Sequence, residues 1–335
     1  MPTISVIIPA YNASKTILET IQSIQAQTFS DFELIVINDG STDGTLDLLS
    51  QITDPRLKVF SYDNGGLPVA RNRGIIQSSG EFISFIDADD LWKPDKLELQ
   101  LEALKQHPEA GVAYSWTAFI NEKSEFLYAW EPLFFDGDVY SQLLVRNFIS
   151  SGSNILVRRE LIESVGEFDP SLKSVEDWDY YLRLAARCPF VLVPKYQILY
   201  RRSSQSMTSK VEVMEKANLI VIERAFQMAP AELQFLKKRS LANAYRYLAK
   251  QCLNNLFNQE GVIDEEGLKQ ASQKLKKAIY LHPRIILSKE TQRLLIKLLM
   301  VKLIPYKLAL RFIQFVGKNF PMVSVPSAST SQDNF

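Results

Sequence analysis

Phe82-Ile83-Ser84-Phe85-Ile86-Asp87-Ala88-Asp89-Asp90 runs from a largely apolar stretch straight into an acidic cluster. The apolar part reads as a buried strand, and the carboxylates fall on the loop at its end. Asp87 and Asp89, two apart on such a loop, can serve a hard divalent cation and a ribose hydroxyl. Ions of the magnesium kind take one or two carboxylates and complete their shell with substrate phosphate oxygens. The plainer reading is helix capping, in which Asp89 or Asp90 caps a helix that starts near Pro94.

The segments on either side place this strand in a series. Residues 4–8 are apolar and β-branched and stop at Pro9; 32–37 form a second buried run, 57–62 a third and 82–86 the fourth. Helical spacing separates them: Ile17, Leu18, Ile21 and Ile24 with Ser14 placed to cap, then 45–51, then 67–77. Strands alternating with helices imply a parallel sheet flanked by helices. In such sheets ligands bind beyond the carboxyl ends of the strands. Tyr11-Asn12, Asn38-Asp39 and Asp87-Ala88-Asp89-Asp90 each follow a strand, so three strand ends bring polar groups to one edge. The stretch 110–205 is mixed, with turns at Gly152-Ser153-Asn154 and Phe168-Asp169-Pro170, a strand at 155–157 and a helix from about Glu176. Beyond Ser209 the pattern is helical, and 241–283 has the look of one tetratricopeptide-like hairpin without a second copy.

Composition narrows the function classes. The chain has 335 residues, 46% of them hydrophobic and 23% charged, which suits one large or two ordinary globular domains. A formal net charge of zero gives no case for nucleic acid as a partner. Two widely separated cysteines fit a reduced compartment, and with only two histidines a metal must be held by carboxylates. The N-terminus lacks the basic flank of a signal peptide, and no stretch of ~20 residues is free of charge, so neither a leader nor a membrane span is expected.

Four further pieces, in order, complete the picture: Ser5-Val6-Ile7-Ile8-Pro9-Ala10-Tyr11-Asn12, Ile37-Asn38-Asp39-Gly40-Ser41-Thr42-Asp43, Ala70-Arg71-Asn72-Arg73-Gly74 and Glu176-Asp177-Trp178-Asp179 with Arg183. With the acidic cluster, they closely resemble the inverting family 2 glycosyltransferases of the GT-A fold, over residues 3–208. The resemblance implies a Rossmann-like, mostly parallel α/β sheet flanked by helices in a catalytic domain at 1–210, and does not extend through the C-terminal third. There the residue pattern itself gives an all-helical region at 211–325, for oligomerisation or membrane-surface contact, and a polar, disordered tail at 326–335.

The resemblance also implies roles. Pro9 and Tyr11 line a nucleobase pocket, Asp39 hydrogen-bonds the base, and Arg71 lies beside base and diphosphate. Asp87 faces ribose or metal, and Asp89 is the main ligand of Mn2+ or Mg2+. Asp177 is the general base, while Glu176, Trp178 and Arg201 attend the acceptor or diphosphate. The donor is a nucleotide-diphosphate sugar, a uridine one for preference, and the acceptor a glycan or lipid-linked species in polysaccharide, lipopolysaccharide or glycoconjugate synthesis. One departure stands out: relatives often carry a histidine after a Tyr-Arg pair, whereas here Tyr200-Arg201-Arg202 is followed by Ser203.

The chemistry is self-consistent. A departing diphosphate needs a cation, and an acceptor hydroxyl needs a carboxylate to take its proton. Each residue taken alone also has a structural reading: Tyr11 a strand-end aromatic, Asp39 and Asp43 turn and cap residues, Arg71 a surface ion pair, Asp177 an acid at a helix N-terminus, Trp178 core. Other classes fit less well. A haloacid-dehalogenase-like phosphatase places its aspartate pair after the first strand, a dinucleotide dehydrogenase needs G-x-G-x-x-G there, and an inactive binding protein need not keep the acidic set.

Finally, residues 293–320 carry Arg293, Lys297, Lys302, Lys307, Arg311 and Lys318 among many apolar residues and no acid, with Pro305 splitting the stretch. This suggests basic amphipathic helices on the cytoplasmic face of a membrane, or alternatively a packed core layer.

Overall fold

A computed structural model of the chain describes residues 1–202, 210–254, 256 and 264–303. Ser203, Pro305, the whole of the basic stretch beyond residue 303 and the 326–335 tail lie outside them. The described residues divide into two compact units, 1–140 with 148–202, and 141–147 with 210–303.

The first unit is α/β. Its elements are β1 (Ile4–Ala10), α1 (Ile17–Gln25), β2 (Phe32–Asp39), α2 (Thr45–Ser50), β3 (Leu57–Tyr62), α3 (Leu67–Gln77), β4 (Phe82–Phe85), β5 (Leu91–Trp92) and α4 (Lys96–Gln106). After these come β6 (Val112–Ile120), β7 (Phe126–Ala129), α5 (Tyr140–Val145, at the boundary of the two units), β8 (Leu156–Arg158), α6 (Arg159–Val165), α7 (Glu176–Ala185) and β9 (Phe190–Arg201). Among the described residues the sheet has nine strands in the order β3-β2-β1-β4-β8-β6-β9-β5, with β7 beside β6.

The first four strands are parallel, as alternation with helices predicts. Beyond β4 the sheet is mixed: β8 runs antiparallel to β4 and β6, whereas β9 is parallel to β6. β1, β2 and β4 are buried along their whole length, because helices cover both faces. Edge strand β3 is largely exposed or half-buried. On one face Ile17, Ile21 and Ile24 of α1 and Leu97, Leu101 and Leu104 of α4 pack on Val6, Ile8, Leu34 and Val36. On the other, Ala70 of α3 meets Ile35 and Ile37.

Pro9 sits in β1 opposite Ile37, past the last β1–β4 pair at Ile7–Phe85, where β4 no longer needs a ladder N–H. Two expectations on capping do not hold. α1 starts at Ile17 behind Thr16, and the Ser14 N–H instead donates to Asp43 at 3.0 Å. α4 starts at Lys96 behind Asp95, so neither Asp89 nor Asp90 caps it.

The second unit is helical: α8 (Val211–Met228), α9 (Lys237–Asn254), α10 (Glu265–Leu281), a 3-10 turn Pro283–Leu287 and α11 (Lys289–Leu303). Ala249, Cys252 and Leu253 of α9, Ala271 and Leu275 of α10 and Leu294, Leu298 and Val301 of α11 form one core. Tyr245 and Leu248 meet Ala278 and Met214 in another. No helix among the described residues is long and apolar enough to cross a membrane.

Candidate active site

The site gathers at the carboxyl ends of β1, β2 and β4, closed by the start of α7. The acidic loop after β4 is held from several sides. Thr20 Oγ1 on α1 donates to the carbonyls of Ala88 and Asp90 at 3.0 and 2.9 Å. The Asp87 N–H donates to Ser153 Oγ at 2.9 Å, and Ser153 Oγ donates to Asp90 Oδ2 at 2.6 Å. Asp90 Oδ1 accepts the Arg201 N–H at 2.9 Å. Asp90 is buried, and burial with the neighbouring Asp89 and Asp87 charges pushes its carboxyl well up. Asp90 therefore acts as an internal strut, while Asp87 and Asp89 remain half-buried.

Arg71, only 1% exposed, organises the site. Its Nη2 donates to Asp87 Oδ1 at 2.7 Å and its Nη1 to Glu176 Oε1 at 2.6 Å. Burial alone would ease its proton off, but the charges of Asp87, Glu176 and Asp177 hold it firmly on. Gly152 lies against this pair, and a Cβ there would run into the guanidinium and toward Asp87 Oδ2. Two residues along α3, on another face of the helix, Arg73 Nη1 donates to Asp39 Oδ1 at 2.8 Å. Asp39 is buried and also accepts the N–H groups of Gly65 and Gly66 at 2.9 and 2.8 Å, which ties the end of β2 to the start of α3.

α7 opens with Val175 in the left-handed conformation, φ 55°, a strained geometry for a β-branched residue. This kink directs Glu176 to Arg71 and leaves Asp177 half-buried beside the acidic loop. Burial and the Glu176 charge raise the Asp177 carboxyl to about 7, against the opposing pull of Arg71. Burial, reinforced by Asp87, likewise raises Asp89 to about 6.

Tyr11 is 55% exposed at the end of β1 and Pro9 is buried within the strand. Trp178 is only 4% exposed, so it offers no open face for stacking on a sugar. The buried Arg201 donates from Nε to the Asp89 carbonyl at 2.7 Å, from Nη2 to Glu19 at 2.7 Å and from Nη1 to Ser124 at 2.8 Å. Its guanidinium is committed to holding the acidic loop rather than to a diphosphate. Glu176 is similarly committed to Arg71. Sequence reasoning assigned no role to Arg73, Ser153 or Thr20. Arg73 stood inside the quoted Ala70–Gly74 motif and Ser153 inside the Gly152-Ser153-Asn154 turn, whereas Thr20 gave no local signal.

Among the described residues no group of three or more His, Cys, Asp and Glu is arranged to hold a metal. The donor set still fits a hard cation that also takes phosphate oxygens. Asp87 and Asp89 supply two half-buried carboxylates whose mutual repulsion a cation would relieve.

A sheet parallel at one end and mixed at the other, with acids at the switch, defines a GT-A fold. The match to solved structures agrees: TarS of S. aureus in complex with UDP-GlcNAc superposes with a TM-score of 0.55 at 19% identity, over 84% of this chain and 91% of that one. The mannosyltransferase PcManGT from Pyrobaculum calidifontis, solved with GDP-Man and Mn2+, superposes with a TM-score of 0.58 at 16% identity, over 94% and 87%. The model of the family "Glycosyltransferase like family 2" matches residues 5–251, and the chain belongs to that family. This sets aside the phosphatase and dehydrogenase alternatives. Among relatives, an uncharacterized glycosyltransferase of Rickettsia felis is 38% identical over 144 residues, 42% of this chain and 23% of that protein. The putative teichuronic acid biosynthesis glycosyltransferase TuaG of Bacillus subtilis is 33% identical over 193 residues, 55% of this chain and 72% of that protein.

Proposed function

We propose that the chain is an inverting, metal-dependent glycosyltransferase that moves a sugar from a nucleotide-diphosphate sugar to an acceptor hydroxyl during synthesis of a cell-envelope glycan. The single observation that carries the reading is the Arg71 bridge. It holds Asp87 on the acidic loop and Glu176 on α7 within 2.7 and 2.6 Å of one guanidinium, and so brings the half-buried Asp177 to the same edge.

In this reading Asp39 with the Gly65-Gly66 turn shapes the base pocket beside Pro9 and the exposed Tyr11. Asp89 and Asp87 hold Mn2+ or Mg2+, which supplies charge neutralisation for the leaving diphosphate. Asp177 takes the acceptor proton. With its carboxyl raised to about 7, it is a stronger base than an ordinary aspartate and about half ionised at neutral pH. One base suffices for a single displacement with inversion, because the leaving group needs no protonation by a second carboxyl.

The solved neighbours support a nucleotide-sugar donor, since TarS was solved with UDP-GlcNAc and PcManGT with GDP-Man. A uridine donor is favoured by the family resemblance. TuaG, by its name a putative teichuronic acid biosynthesis glycosyltransferase, supports a cell-envelope polysaccharide setting. The cytoplasmic side and a glycan or lipid-linked acceptor are part of the proposal itself. The domain reading carries over as part of this proposal: catalysis within 1–210, and a helical region at 211–325 for surface or subunit contact.

The deciding experiment is calorimetry of UDP and GDP with and without Mn2+, paired with donor-sugar hydrolysis or transfer. Metal-dependent binding of one nucleotide, together with turnover lost in Asp177→Asn, supports the reading. Binding without any turnover would make the chain an inactive member of its family.

A further inference from the structure

α11 buries an apolar face in the usual way but departs from the usual pattern on its outward face. Thr291, Leu294, Leu298 and Val301 are buried against the second unit's core. At ~100° per residue the opposite stripe takes Lys289, Gln292, Arg293, Ile296, Leu299 and Met300. Ile296 is 54% and Leu299 56% exposed on that stripe, and Leu287 is 72% exposed in the turn just before it. An outward helical face would ordinarily be polar. This one combines bare aliphatic side chains with the exposed cations Lys289 and Arg293.

The charge pattern is equally one-sided. Residues 283–303 contain Arg284, Lys289, Arg293, Lys297 and Lys302 against a single acid, Glu290. Glu290 is turned away to Arg246 Nη2 and Lys250 Nζ, each at 3.1 Å. Those two ion pairs remove the only negative charge of the segment from its outward side. The chain beyond the described part continues in kind: 304–320 adds Lys307, Arg311 and Lys318 and no acid.

We infer that the outward face of α11, with the Pro283–Leu287 turn, docks on an anionic lipid surface. Aliphatic side chains enter the headgroup boundary while the cations meet lipid phosphates. Charge complementarity selects this occupant over the other two. A second copy in a two-fold contact would set Lys289 and Arg293 against their own equivalents. Residues 304–320 would likewise bring cations to a cationic face. The inference does not depend on the transfer chemistry, and its test reads no turnover.

The test is flotation of the full chain with vesicles of phosphatidylcholine alone and of phosphatidylcholine and phosphatidylglycerol in equal parts. The wild type should float with the anionic vesicles at low salt, and raised salt should weaken this. Lys289→Glu/Arg293→Glu and, separately, Ile296→Glu/Leu299→Glu should each reduce partitioning on the order of tenfold or more. Both variants should keep the wild-type melting temperature, since the changed side chains face outward. Failure of the wild type to float, or equal flotation of both double variants, overturns the inference. So does a lowered melting temperature in Ile296→Glu/Leu299→Glu, which would show the face covered by the chain itself. A wild-type dimer in light scattering that this variant converts to monomer would assign the face to a second copy instead.

Discussion

Arg71 and Glu176 are 105 residues apart in the chain, yet Nη1 lies 2.6 Å from Oε1, and the guanidinium is almost wholly buried. This ion pair joins α3 to the first turn of α7 and, through Asp87, to the loop after β4. Removing the guanidinium would strand Asp87, Glu176 and Asp177 together without a counter-charge. Arg71→Met should therefore cost about 3–5 kcal/mol of stability, the usual penalty for breaking a buried pair from one side. Urea unfolding checks this, and a midpoint equal to wild type would contradict the assigned role.

The raised carboxyl of Asp177 sets a pH dependence. The base form is the deprotonated one, so kcat/KM should climb as pH rises through about 7 and level off above it. Asp177→Asn should lower transfer ~10²–10⁴-fold, flatten that ascending limb and leave nucleotide affinity almost unchanged. A pH–rate series on both proteins checks the three together, and an intact limb in the variant would move the base elsewhere.

Asp89 is half-buried and makes its described contacts largely through its backbone, so Asp89→Ala should spare the fold. Turnover should vanish in the variant, and in wild type under excess chelator, returning on addition of Mn2+. Full activity in chelator would exclude a metal-dependent reaction.

Asp39 has a double load, because its carboxylate also anchors Gly65, Gly66 and Arg73. Asp39→Ala should weaken UDP binding by ~1.5–3 kcal/mol. Arg73→Ala should weaken it less, by loosening the same carboxylate. Calorimetry showing equal affinity for uridine and cytidine diphosphates in the wild type would argue against a contact from Asp39 to the base.

Glu33 provides a stability test away from the site. Burial would raise its carboxyl, but hydrogen bonds from Lys58, Ser5 and Ser79 outweigh this and hold it down at about 2 against an ordinary 4.5. A lowered folded-state value means the contribution is complete above about pH 4.5 and disappears as pH falls toward 2. Glu33→Gln should thus be less stable at pH 7, a gap that closes in acid. A constant difference across that range, measured by denaturation, would contradict it.

The sequence by itself determined the first four strands and the helices between them, although β1 runs on through Pro9 to Ala10 and β2 to Asp39, beyond the apolar runs. Burial on both faces leaves continuous apolar runs, which mark β1, β2 and β4, and half-burial leaves the 3.6-residue period of α1. The same local signals put Asp39, Asp87 and Asp89 at strand ends. The tertiary structure decided what those residues face. Asp90 reads like its neighbours but is buried on Ser153 and the Arg201 N–H, contacts made 63 and 111 residues away. Trp178, Glu176 and Arg201 carry functional side chains yet are spent on packing and bracing. The antiparallel placement of β8 between β4 and β6 has no local period to announce it. Local periodicity records which side of an element is dry. Which charge neutralises which depends on desolvated pairs that form only when distant segments close on one another.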